Sequence, residues 1–414
     1  ANTNTDNLAI GTDAGATVQG DHGVAVGREA GKTSQGAQGV AVGYESGKTE
    51  QGVQAIAMGY QAGQTSQGVN AVAVGRQAGV SEQGANATAI GRQAGQSAQG
   101  TLTTAVGYAA GNSNQGTHSV AVGQEAGKSN QGGFSTALGS SAGSTSQGTG
   151  AVAIGRLAGL SNQGTNATAV GKESGATSQG THATAVGQEA GKSNQGSFST
   201  ALGSSAGSTS QASSAVAIGR LAGLSNQGTE TVAVGKESGK ISQGAYTVAV
   251  GSTAGLSNQG AYATALGTQA GQTSQGVFAT ALGSTAGMTN QEPLAVAIGR
   301  DSGTTSQGCH ATAVGYGSGN SKQGIHATAV GHAAGQNVQG ALGVALGASA
   351  GTTSQGANAV AVGPIAGNNN QGTQAVAVGY AAGQNVQGAG GTAVGLSAGA
   401  TSQGAQAVAM GNIA

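Results

Sequence analysis

A glycine closing the motif Ala-Val/Ile/Leu/Met-Gly falls at Gly11, Gly27, Gly43, Gly59 and every sixteen residues onward to Gly411, twenty-six times without one insertion or deletion. A fixed period of this length is the signature of stacked structural repeats, in which each turn contacts only its neighbours and equivalent residues form columns along the stack. Two further phases are as strict. A second glycine stands four residues after the first (Gly15, Gly31, Gly47, through Gly399), always preceded by Ala or Ser. A glutamine stands eight residues after the first glycine in every complete turn, from Gln19 to Gln403, followed by glycine except at Ala212 and Glu292. Disordered Gly-rich chains have no reason to hold such a phase, so the regularity implies stacking.

Within each repeat the run Ala-Val-Ala-Val-Gly, as at Val24, Ala25 and Val26, alternates with period two and reads as a short strand. A second extended stretch, Thr/Ser-x-Gln, lies between the Ala-Gly and Gln-Gly corners. The fold class expected is therefore all-β: a parallel β-solenoid, or β-roll, of about 26 sixteen-residue turns with two short strands each. At ~4.8 Å per turn it makes a narrow rod on the order of 120 Å long. Residues 1–6 read as a leading segment and 7–414 as one continuous array. Gly11, Gly27, Gly31, Gly43 and Gly47 are the expected corners, where positive φ carries no Cβ clash. The aliphatic column Val26, Val42, Met58, Val74 and Ile90 is the expected core, with the alanines letting a second layer approach. Gln19, Gln35, Gln51, Gln67, Gln83 and Gln99 are expected to form a structural amide ladder.

Composition narrows the function. Eighty-two glycines and ten aromatic residues among 414 leave too little bulky side chain for thick cores. Fourteen Lys and Arg balance fourteen Asp and Glu, which removes the basic footprint of nucleic-acid or anionic-membrane binding. No apolar run approaches the ~18 residues of a membrane helix, so neither nucleic acid nor membrane insertion is expected and the chain reads as soluble. The lone Cys309 excludes an internal disulfide framework. The start at Ala1 shows neither an initiator Met nor an apolar signal segment and reads as a processed or excised piece.

No chemistry is expected. Gly27 to Thr33 and Gly123 to Ser129 imitate a phosphate-binding loop, but three residues separate their glycines where four are needed. No Ser-His-Asp set or carboxylate pair can be assembled, and no cofactor is called for. His310 and His326 occupy adjacent turns at one phase, with no column of carboxylates or thiols beside them, and read as a surface pair. The same phase carries Phe134, Phe198, Tyr246, Tyr262 and Phe278 amid Asn and Gln; with His310 and His326 these form the candidate recognition edge. The phase after the motif glycine mixes Arg28, Tyr44, Tyr60, Arg76, Arg92, Tyr108 and Lys172 and reads as a solvated face with charge pairs. The sequons at Asn86 and Asn166 place their Thr in the strand and carry little weight. The block Ala121–Thr184 is nearly repeated by Ala185–Val248, a duplication of four whole turns.

The runs Ala71-Val72-Ala73-Val74-Gly75 and Ala151-Val152-Ala153-Ile154-Gly155 resemble the head repeats of trimeric autotransporter adhesins, and the fuller pattern from Ala55 to Gly68 resembles repeat arrays of large-virus surface proteins and phage tail-fibre shafts. The resemblance covers essentially the whole chain and implies a non-enzymatic fibre or adhesin shaft, extracellular or on a virion surface. Its partners would be itself, as a homotrimer or an end-to-end filament, and a host-surface protein or glycan met by the variable edge. Two other classes fit: an extracellular filament subunit, since the repeat stops mid-turn at Ala414, and an ice-binding solenoid presenting the column Thr33, Thr49, Thr65 and Ser81.

Overall fold

The computed structural model describes residues 6–414 and forms two compact units, one reaching to Thr209 and one running from Ser210 to Ala414. The expected leading segment therefore lies outside the described residues except for Asp6. Each unit is a parallel β-solenoid of sixteen-residue turns, with no helix among the described residues. The turn from Val24 to Gly39 serves as reference, and a column is named by its residue in that turn.

Every turn opens with a three-residue strand, β1 (Leu8–Ile10), β3 (Val24–Val26) and β5 (Val40–Val42) being the first of one series. A second strand follows the Gly31 corner, as in β2 (Thr17–Gln19), β4 (Thr33–Gln35) and β6 (Thr49–Gln51). Strands pair one turn apart in strict parallel register: Val24, Ala25 and Val26 face Val40, Ala41 and Val42, and Thr33 and Gln35 face Thr49 and Gln51. The ladder runs in both directions, Val24 N–H donating to Gly39 O at 2.9 Å and Gly27 N–H to Ile10 O at 2.7 Å. From Ser306 onward the second strand shortens to two residues and then to single bridges at Gln371, Gln387 and Gln403. The shortening coincides with loss of the positive φ in the Ser34 column, which only Asn370 keeps in these rows.

The core is the reverse of the one expected. The fully buried columns are Ala25, Ala30 and Gln35, with the largely Ala, Ser, Thr and Gly column of Gly39, whereas Val24 and Val26 are half-buried and point outward. Met58, expected inside, is 44% exposed, and Ile90 is 41% exposed. The reason is the width of the turn. A Cβ built on Gly63 would lie 3.1 Å from Ala57 Cβ and 2.7 Å from Gln67 Oε1, so the two sheets are an alanine and a glutamine amide apart. No branched side chain fits in that gap, and close packing leaves no slack to admit one.

Two glycine columns make this cross-section possible. Gly27 has φ +130°, and a Cβ there would sit 2.5 Å from the Gly43 carbonyl oxygen of the next turn. Gly31 has φ +50°, and its Cβ would sit 2.8 Å from Gln35 Oε1. The chain also turns at non-glycine residues: Glu29, Ser34 and Gln38 adopt φ of 56°, 57° and 59°; the Glu29 and Gln38 columns repeat this, and the Ser34 column does so as far as Asn290 and again at Asn370. A left-handed L-residue costs roughly 1–2 kcal/mol. Stacking offsets the cost, because Glu29 N–H donates to Thr12 O at 2.8 Å and Gln38 N–H to Asp21 O at 2.8 Å in the preceding turn. The left-handed Ser34 also breaks the alternation of the second strand, so Thr33 faces outward while Gln35 points in.

Candidate interaction surface

The glutamines are internal struts. Gln35 Nε2 donates across the interior to Val24 O at 2.9 Å, on the first strand of its own turn, and to Gly39 O at 3.1 Å. Gln19 makes the corresponding bonds to Leu8 O and Gly23 O, Gln83 to Val72 O and Ala87 O, and Gln99 to Thr88 O. Amide-to-amide bonds run along the column, from Gln51 to Gln67 and from Gln67 to Gln83 at 3.2 Å and from Gln99 to Gln115 at 3.3 Å. Each amide thus ties the two sheets of one turn together and, in these rows, reaches the next turn as well. The corners Gly11, Gly27, Gly31, Gly43 and Gly47 all have positive φ, and the backbone or a Gln side chain of the stack occupies the space a Cβ would need.

The columns that vary most in side-chain chemistry lie outside. The Gln38 column places Phe134 and Phe198 on the surface at 64% exposure each, with Tyr246, Tyr262, Phe278, His310 and His326 also exposed. These rings are not scattered. His118 stacks on Phe134 at 4.8 Å and 6°, His182 on Phe198 at 5.2 Å, and Tyr246, Tyr262 and Phe278 form a three-ring stack at 4.9 and 4.8 Å. His310 stacks on His326 at 4.8 Å, and Cys309 Sγ approaches His310 Nδ1 at 3.1 Å. Among the described residues no three His, Cys, Asp or Glu side chains gather as metal ligands. The left-handed backbone sets each ring on the outer corner, and the turn spacing sets the stacking distance.

The Arg28 column, expected to be a solvated face with charge pairs, holds a second ladder. Tyr44 and Tyr60 stack at 5.1 Å, with Arg28 over Tyr44 at 5.7 Å and Arg76 over Tyr60 at 5.8 Å. Arg92 lies over Tyr108 at 5.4 Å, and Arg300 over Tyr316 at 5.0 Å, with Tyr316 stacked on His332. Cation–π contacts of this kind contribute about 0.5–1 kcal/mol at exposed sites. Arg76 and Arg92 sit one turn apart, are exposed, and make no ion pair among the described residues. The signal was present in the sequence as Arg and Tyr recurring sixteen residues apart.

The neighbouring Glu29 and Lys32 columns do form charge pairs. Lys48 Nζ reaches Glu29 at 2.7 Å and Glu45 at 2.8 Å, and Lys192 Nζ reaches Glu173 at 2.8 Å. The Lys48 ammonium holds the Glu29 carboxyl below the usual range; for Glu45 the Gln61 amide leads and Lys48 adds to it. Lys192 does the same for Glu173 and Lys240 for Glu237, while Lys48 itself is pushed up by its two carboxylates. These pairs lie at the surface with their carboxylates partly covered, and surface pairs of this kind add little to stability.

No helix among the described residues is long and apolar enough to cross a membrane. No protein-family model matches the chain, and a search of curated proteins finds no relative.

Proposed function

We propose that this chain is the non-enzymatic shaft of a fibre on a virion or cell surface, attaching to a host-surface protein or glycan through its variable edge. The observation that carries the reading is the division of labour between columns. Residues that build the turn repeat at nearly every level, whereas the exposed Gln38 and Arg28 columns change from row to row and hold stacked rings. Stiff, exposed aromatic rings supply contact area at small entropic cost, which suits recognition. The pair Arg76 and Arg92 adds an unpaired cationic spot for a carboxylated or sulfated group.

The test is binding of the purified chain to cultured cells and to immobilised glycans, comparing wild type with a variant carrying Phe134→Ala, Phe198→Ala, Tyr246→Ala, Tyr262→Ala and Phe278→Ala. The expected result is saturable binding that falls at least tenfold in the variant, with unchanged circular dichroism. Binding that ignores all five substitutions, or a wild type that binds no cell or glycan surface, overturns the reading. Ice binding stands as a second reading because the Thr33 column faces outward; thermal hysteresis in a freezing assay would support it, and its absence at high concentration would remove it.

A further inference from the structure

In the unit running from Ser210, a furrow of about 1040 Å³ follows the roll from Asn258 to Ala341. It crosses the rows where the second strand changes course: Asn258, Ser274 and Asn290 have positive φ, whereas Ser306, Lys322 and Val338 of the same column do not. That column forms one wall, and Pro293, Cys309 and Ile325 of the Ala37 column form the other. The Ala37 column has here its longest run of apolar residues larger than alanine, from Val277 to Ile325. Corner glycines, among them Gly276, Gly308 and Gly324, make the floor, and Glu292 replaces the glycine in one row.

We infer that this furrow binds one linear oligosaccharide that ends in a single acidic sugar, with the acid at Lys322 and neutral sugars over the rows down to Asn258. Three observations select that ligand. The first is two-sided chemistry. Among the described residues the side chains of Asn258, Ser274, Asn290 and Ser306 have no hydrogen-bond partner, so one wall offers free amides and hydroxyls while the facing wall is apolar. A pyranose carries hydroxyls on its rim and an apolar C–H face, and so matches both walls. An extended peptide does not, because its N–H and C=O groups point to both sides and the apolar wall would leave half of them unpaired. The floor cannot supply partners: Gly276, Gly308 and Gly324 donate their N–H groups to Gln291, Gln323 and Gln339 O at 2.6, 2.8 and 2.8 Å. The second is spacing. Rows repeat at ~4.8 Å, close to the advance of one pyranose along an extended chain, so successive sugars meet equivalent wall groups. The third is charge. Lys322 and Glu292 are exposed, and neither makes an ion pair among the described residues. Lys322 therefore offers an unneutralised point charge toward one end of the furrow. Glu292, two rows away, accepts from hydroxyls and repels a second acid. A chain acidic at every second sugar would set its next charge on that row, so the site selects one acid followed by neutral sugars.

The furrow uses no residue of the Gln38 or Arg28 columns, so it stands apart from the edge attachment proposed above. The test is isothermal titration calorimetry of the full chain with three probes. Linear sialyl-lacto-N-tetraose carries one acidic sugar on four neutral ones, lacto-N-tetraose lacks the acid, and a hyaluronan hexasaccharide is acidic at every second sugar. The expected outcome is binding of the first and at least tenfold weaker binding of the other two. Lys322→Gln should bring the sialylated chain down to the neutral level with unchanged circular dichroism. Glu292→Gly, which restores the glycine of other turns, should strengthen hyaluronan binding at least tenfold. The five-ring edge variant should bind the sialylated chain as wild type does, whatever becomes of its attachment to cells. A wild type that binds none of the three sugars, binds acidic and neutral chains alike, or prefers an extended Ser-Glu peptide overturns the inference. Unchanged binding in Lys322→Gln, or loss of the sialylated chain in the edge variant, overturns it as well.

Discussion

Exchanging the inner and outer residues of one strand tests the inverted packing of this roll, and Ala153 with Ile154 is a suitable pair. Ala153 has 0% exposure, and a Cβ built on Gly159 opposite it would already lie 3.2 Å away. Gln163 fills the remaining space, its Nε2 donating to Val152 O at 2.8 Å and to Ala167 O at 3.3 Å. Ala153→Val forces two methyl groups into that site. Overpacking costs about 1–3 kcal/mol, and displacing the amide forfeits hydrogen bonds of about 1 kcal/mol each, for a total near 3 kcal/mol. Ile154→Ala removes a half-exposed side chain whose full burial would contribute about 1.5–3 kcal/mol, so it costs about 1 kcal/mol. Because each turn contacts only its neighbours, the effect is local, and native-state hydrogen exchange of peptides spanning residues 137–170 is the fitting assay. At about 1.4 kcal/mol per tenfold, exchange should accelerate roughly a hundredfold in Ala153→Val and about fivefold in Ile154→Ala. Unchanged exchange in Ala153→Val with a hundredfold acceleration in Ile154→Ala would refute the packing.

Other expected outcomes follow from the same geometry. Gly143→Ala should cost about 3 kcal/mol in chemical denaturation, since its φ of 52° penalises any Cβ and that Cβ would meet Gln147 Oε1 at 2.7 Å. Gln147→Ala should open the roll locally, measured as loss of protection at Thr136 and Ala151, the carbonyl partners of its amide at 2.8 and 3.2 Å; unchanged protection there would deny its role as a strut. Glu29, Glu45, Glu173 and Glu237 have carboxyls held below their unfolded range, so their contribution is present above the ordinary carboxylate pKa of about 4.5 and is lost as pH falls through the lower folded values. Melting temperature should therefore be flat from pH 6 to 8 and decline modestly below pH 4.5, and the decline should shrink in Glu29→Gln/Glu45→Gln.

Much of this architecture was legible in the sequence. The spacing of Gly27, Gly31 and Gln35 gave the turn length, the two strands and the corners, because each of those residues is required at every level by backbone geometry. The direction of the strand was not legible. Alternation at Val24, Ala25 and Val26 says that two faces differ without saying which is inside, and the usual preference for bulky cores pointed the wrong way. The deciding quantity is the width of the interior, set by left-handed corners in the Glu29 and Gln38 columns that the sequence pattern does not announce. One hint was available: Asn recurs in the Ser34 column at Asn114, Asn130, Asn162 and Asn194, and Asn tolerates left-handed backbone better than most residues. The exposure of the Gln38 column was legible from its variability, but the stacking of Tyr44 on Tyr60 and of Tyr246 on Tyr262 required the column geometry.

The most direct measurement of the inverted roll is thiol accessibility along one strand. Val152→Cys, Ala153→Cys and Ile154→Cys, each in a Cys309→Ser background, would be treated with a small maleimide at nanomolar protein, where copies are apart, and labelling followed by mass spectrometry. The account predicts rapid modification at positions 152 and 154 and protection at 153 until the chain is unfolded. Rapid labelling at 153 with protection at 152 and 154 would place the aliphatic residues inside and contradict it.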